Sequence, residues 1–261
     1  MKINAAPAEN AISLRDLFHN MLVSLFQSKS PDATDEQIAE AEKAIQKLIE
    51  DVASFWREEV TKPLLTIEKL GKNQYVCWED PGKEGCSCIL QNENLDEWIL
   101  SHSDGAKLKE MVRRILRHPL LQQHTQLIEQ AFEAYEHGSY ALSILGMLAA
   151  IDALLSNVSG MINSTGMVQR INSIIVKLSQ KIPVTKQEIK DAYLVCTTAI
   201  TLQGLTINKK FEEANPEGIN RHWLMHGRSH RKISQIDCIK MLRLINGILL
   251  MHELAKSGND E

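Results

Sequence analysis

Residues 220–232 read Asn-Arg-His-Trp-Leu-Met-His-Gly-Arg-Ser-His-Arg-Lys. Three of the nine histidines of the chain fall here, with four arginine or lysine residues and no acid. The formal net charge of the whole chain is −4, so this is a local positive patch in an acidic protein, and it draws anions, phosphate above all. Proteins that grip long nucleic acid over their whole surface are usually basic; nucleic-acid chemistry here would use a small footprint. A second chemistry is also written in the spacing. His222, His226 and His230 recur at i+4 and would share one face of an unbroken helix, and three histidines can hold zinc. Gly227 and Ser229 interrupt such a helix, however, and no carboxylate lies nearby in sequence. The plainest alternative is a solvated basic turn with Trp223, Leu224 and Met225 packed inward.

Arg221 and His226, with four residues between them and the polar His222 directly after the arginine, resemble the Arg-x4–6-His motif of HEPN domains. The Asn-Arg-His-x-x-x-His-Gly form is similar to HEPN domains of phage-defence and toxin-like proteins. The resemblance extends over residues 129–255, about half the chain. It implies a bundle of four or five helices with the motif on a short helix before the last long one. It also implies an earlier apolar helix with an acid near the site, for which Asp152 is the candidate, to be paired with Arg221 or His222. The implied activity is metal-independent endoribonuclease chemistry without a cofactor. A base takes the 2′-OH proton and an acid protonates the leaving 5′-oxygen, leaving a 2′,3′-cyclic phosphate. Imidazole titrates in the right range for either task, and a guanidinium can clamp the phosphate as charge builds. His226 is then the main proton-transfer residue and Arg221 the clamp. Asn220, His222 and Asp152 support them, and Arg228, His230, Arg231 and Lys232 hold RNA phosphates. The other reading is a non-catalytic helical module whose basic loop binds a nucleotide or a partner protein.

One geometric constraint follows. Positions five apart on a straight helix point ~140° away from each other. The motif must therefore straddle a helix end, or two chains must pool their motifs; the resemblance implies a homodimer with a composite site. RNA is the expected partner, with an antitoxin or trigger protein as a further one and no membrane.

The elements that must position these residues are helical. Leu, Ile, Ala, Glu, Lys and Gln dominate, and aromatics are sparse. The first amphipathic helix is predicted over residues 9–27. A capping box at Thr34 and Gln37 opens a second, to about Val60. Alternation at residues 74–78, the Pro81-Gly82 turn and an apolar run at 86–90 predict a small β-hairpin within residues 64–91. Helices follow over 103–117, 119–136, 139–155, 167–180 and 185–203, with a loop at 157–166. Asn215-Pro216 is expected to open a short helix that Gly227 closes. Ser234 and Asp237 cap a last long helix. The chain thus reads as mainly α: an N-terminal helical region with a hairpin over residues 1–117, of regulatory or recognition role, and a HEPN-like bundle over 118–261. Two lobes sharing one core would fit as well.

Five cysteines at irregular spacing argue against a disulfide framework. Cys77, Cys86 and Cys88 are too few for a zinc ribbon, and Cys196 and Cys238 fall on apolar helical faces. The apolar run at 144–155 contains Asp152 and reads as a core helix rather than a span. With no secretory signal, the expected compartment is the cytoplasm.

Overall fold

The computed structural model describes residues 56–79, 81–101, 105–160, 186–207 and 212–257, with residues 39, 43, 46, 47, 170 and 210. The chain forms two compact units, Met1–Pro63 and Leu64–Glu261. The helix expected over 9–27, most of that over 34–60 and most of that over 167–180 lie outside the described residues. In the first unit, a π-helical turn covers Trp56–Thr61.

The described residues are mainly helical and contain no strand. In chain order the helices are α1 (Lys62–Lys72), α2 (Gly82–Gln91), α3 (Leu95–Ser101), α4 (Gly105–Arg117), α5 (Thr125–Glu136), α6 (Tyr140–Ser159), α7 (Lys186–Thr206), α8 (Arg221–Met225) and α9 (Gln235–Ser257). A 3₁₀ turn, Pro119–His124, precedes α5 where a continuous helix was expected. His118 caps it, its Nδ1 accepting from Leu120 N. Helix α6 runs four residues beyond its expected end and takes up the first part of the predicted 157–166 loop.

The β-hairpin is replaced by helices. The run at 86–90 lies in α2, where Cys86 and Ile89 face inward at i, i+3 while Cys88 is exposed. That is a helical period, and the short apolar run was ambiguous between the two. The alternation at 75–78 falls on backbone that is neither helix nor strand. Neighbouring helices satisfy its polar groups through side chains. Cys77 N donates to Thr197 Oγ1 at 3.0 Å, and Arg243 Nε donates to the Val76 carbonyl at 2.9 Å. Tyr75, Val76 and Cys77 are buried.

Helix α6 packs against α5 and α9, and α9 also packs against α7, α4 and α3. Val76, Val112 and Ile115 share one apolar cluster with Leu121, Ile151 and Ile245, so the segments on either side of His118 have a common core. A second cluster joins Leu70, Ile89 and Ile99 to Tyr193 and Ile239. Close approaches need glycine: a Cβ at Gly247 would lie 2.6 Å from Val76 Cγ1, and one at Gly146 would lie 2.8 Å from Ala131 Cβ.

Among the described residues, α6 alone is long and apolar enough to cross a membrane, with 44% of it buried within the fold. Leu142 and Leu145 remain on its exposed side.

Arg243 holds the segment at 75–78 in place. Its guanidinium lies 4.2 Å from the Tyr75 ring centre and 4.0 Å from that of Trp78. Arg243→Met keeps the stem but leaves the buried Val76 carbonyl without its donor and removes both cation–π contacts. Chemical denaturation should show a loss of about 2–4 kcal/mol. A loss under about 0.5 kcal/mol would mean that the segment is held by apolar burial alone.

Candidate active site

Asn220 begins the site. Its Oδ1 accepts from Trp223 N at 3.1 Å, and its Nδ2 donates to the Ile207 carbonyl at 2.9 Å. One side chain thus caps α8 and ties it to the end of α7. This corrects the expected start at Asn215-Pro216. Residues 216–220 stay non-helical because Ile219 is clamped: Gln74 Oε1 accepts from Ile219 N, and Gln74 Nε2 donates to Ile219 O, both at 2.6 Å.

The far end of α8 is closed as the sequence predicts. Gly227 has φ +64°. Gly227 N bonds Leu224 O at 3.0 Å and Arg228 N bonds Trp223 O at 2.8 Å. These two bonds are the paired 5→2 and 6→1 closures of a helix end that needs a left-handed residue. Buried Trp223 anchors the helix to the core.

The motif therefore spans the whole of this short helix. Arg221 is its first residue and His226 its C-cap. Arg221 Nη2 lies 3.7 Å from Asp152 Oδ2 on α6, so the proposed acid and arginine are together. His222 and His226 stack edge to face, ring centroids 4.5 Å apart. Both imidazoles are exposed. His222 and His226 do not share a continuous helix with His230, because α8 ends at Met225. Among the described residues, no group of three or more His, Cys, Asp or Glu side chains is placed to hold a metal ion.

Arg170 joins the site, and sequence reasoning missed it. Its Nη1 lies 3.3 Å from Asp152 Oδ1, its side chain is only 12% exposed, and its Nε is buried without a hydrogen-bond partner. Two guanidiniums thus flank one carboxylate and leave a net positive charge, which favours an anion. The signal was present in the sequence. Arg170 is a lone cation in the apolar run Met167-Val168-Gln169-Arg170-Ile171, a natural partner for the lone acid of α6.

The basic loop divides in two. Arg228, His230 and Lys232 are exposed. Arg231 is turned inward: its Nη2 bonds buried Asp237 Oδ1 at 2.8 Å, while Asp237 Oδ2 accepts from Ser234 N and Oγ. Its guanidinium is engaged in capping α9.

The cysteines look structural. All five are free. Burial pushes the Cys77 and Cys196 thiols up and raises Cys238 to about 11. His252 is half-buried on α9. Burial, reinforced by Lys256 and His118, holds its imidazole below the usual value.

No family model matches the chain, and no curated protein or solved structure matches it significantly. The site must be read from its own residues.

Asn220 and Asp152 can be separated experimentally. Asn220→Ala removes the cap and leaves the Ile207 carbonyl without its donor; urea denaturation should show a loss of about 1–2 kcal/mol. Asn220→Asp retains a cap acceptor and should recover part of that. Asp152→Asn should leave the fold within about 0.5 kcal/mol, because the carboxylate is partly exposed, while loosening Arg221. If Asn220→Ala were neutral, α8 would be held by Trp223 and not by its cap.

Proposed function

We propose that the chain is a metal-independent endoribonuclease of HEPN type. The observation that carries this reading is the approach of Asp152 to Arg221, on the same short helix whose other end pairs His222 with His226. An acid on an apolar helix, facing an arginine just ahead of the last long helix, is the arrangement that the Arg-x4-His resemblance implies.

The mechanism uses only side chains. Asp152, itself held by Arg170, orients the Arg221 guanidinium, which holds a non-bridging phosphate oxygen and stabilises the charge that builds there. His226 removes the proton from the 2′-OH, which attacks phosphorus. The P–O5′ bond breaks, and an imidazolium protonates the departing oxygen. His222, beside His226, supplies that second group. The products are a 2′,3′-cyclic phosphate and a 5′-OH. Arg228, His230 and Lys232 extend the phosphate track.

The exposed Leu142 and Leu145 lie on the helix that carries Asp152. They support a homodimer in which two motifs face one another. The toxin-like or phage-defence setting, the antitoxin or trigger partner, and a cytoplasmic location follow from the resemblance.

Incubation with total RNA in EDTA tests the reading. The wild type should cleave, and His226→Ala should fall by about 10²–10⁴-fold. Arg221→Lys should keep charge but lose the bidentate clamp, and so lose activity as well. Cleavage abolished by EDTA, or a His226→Ala protein as active as the wild type, would refute it. RNA binding without cleavage, unaltered by either substitution, would instead favour a binding module.

A further inference from the structure

Away from the Arg221–His226 helix, two histidines tie one end of the bundle together. His118 stands between α4 and the 3₁₀ turn, with its side chain only 11% exposed. Its Nδ1 accepts from Leu120 N at 3.3 Å, so the proton of the neutral ring sits on Nε2. That nitrogen lies 3.4 Å from Glu253 Oε1 on α9. Leu120 is held on its carbonyl as well, where Asn157 Nδ2 of α6 donates at 3.1 Å. Leu121, the next residue, is fully buried in the core. The turn, α4, α6 and α9 therefore meet at His118 and Leu120.

His252 lies on α9 directly before Glu253. Its Nε2 is buried and has no hydrogen-bond partner. The charged and titratable groups acting on the ring are Lys256 and Glu253 of its own helix and His118 before the turn. The contribution of α6 at this end, Asn157, is neutral. Burial first, then Lys256 and His118, hold the imidazole below its usual range against the pull of Glu253.

We propose that this end of the bundle is an acid-sensitive joint, closed while both imidazoles are neutral and opened when either takes a proton. A proton on His118 Nδ1 would face the Leu120 N–H and end that bond, leaving the imidazolium to Glu253 alone. A proton on His252 leaves a buried, charged N–H without an acceptor, beside Lys256. In the first case the turn loses its cap. In the second, the last turns of α9 draw away from His118 and the turn loses that support. The sign follows from the lowered value of His252. Its contribution to stability is fully present above the ordinary histidine value, about 6.5, and is lost as pH falls from there through the folded value. The joint reaches the candidate site through α6, since Asn157 follows Asp152 by five residues on that helix.

Hydrogen exchange of the full chain at about pH 7.5 and about pH 5.5, with rates divided by those of the unfolded chain, tests the proposal. Protection of the Leu120 and Leu121 amides should fall about five- to tenfold at the lower pH, relative to Ile245 in the core; tenfold is about the limit for one histidine a pH unit below its ordinary value. His118→Asn keeps an acceptor for Leu120 N that takes no proton, and His252→Gln removes the second ring. Each should at least halve the fall, and the double variant should abolish it. Carboxylates that acid neutralises are common to all four proteins, so their effect cancels. Far-UV circular dichroism checks each fold, and if one variant does not fold, the other suffices. Protection at the joint that acid leaves unchanged, a fall equal at Ile245 and at the joint, or a fall that neither substitution alters would each overturn the proposal.

Discussion

The unit from Leu64 onward depends on burying α9 with a row of polar side chains tied to the elements around it. Asp237, Lys240, Arg243 and Asn246 recur at i+3 along this helix, and Asp237, Lys240 and Asn246 are almost wholly inaccessible. Each engages a different element. Asp237 holds Arg231 and Ser234, Lys240 pairs with Asp96 of α3, Arg243 grips the segment around Val76, and Asn246 receives Arg114 of α4. Apolar burial is indifferent to register, whereas a buried charge or amide is not. The stripe therefore specifies which elements lie around α9 and at what height, and the apolar residues between fill the core.

The same logic reaches the site. Helix α8 is too short to hold itself, since one or two turns do not repay the nucleation cost. It is fixed instead at both ends and by its middle: Asn220 to α7, the left-handed Gly227, and Trp223 in the core. Arg221 and the two histidines then project from a rigid stub. Asp152, paired with Arg170, approaches Arg221 from outside that stub. Rigid placement of charged groups before substrate arrives is what lets a site stabilise developing charge.

The long helices were legible because caps and apolar period agree in them, as at Ser234 and Asp237. So was the closure at Gly227, where the residue type itself carries the information. The start of α8 was not: Asn215-Pro216 carries the local signature, but both backbone polar groups of Ile219 are held by Gln74, 145 residues away in sequence. The segment 75–78 failed for a similar reason. Its alternation reads as a strand, yet its hydrogen bonds go to Thr197 and Arg243, which no local pattern could reveal. Asp152 was chosen by resemblance and Arg170 was overlooked, because a lone arginine in an apolar run gains meaning only from its distant partner.

In the proposed ribonuclease, two imidazoles on one short helix share the proton transfers of RNA cleavage. The pH dependence of single-turnover cleavage in EDTA tests it most directly. The wild type should give a bell-shaped profile, with one histidine acting as base and the other as acid. His222→Ala should lose one limb of that bell while His226→Ala loses most of the rate. A profile without a bell in the wild type, or one left unaltered by His222→Ala, would contradict it.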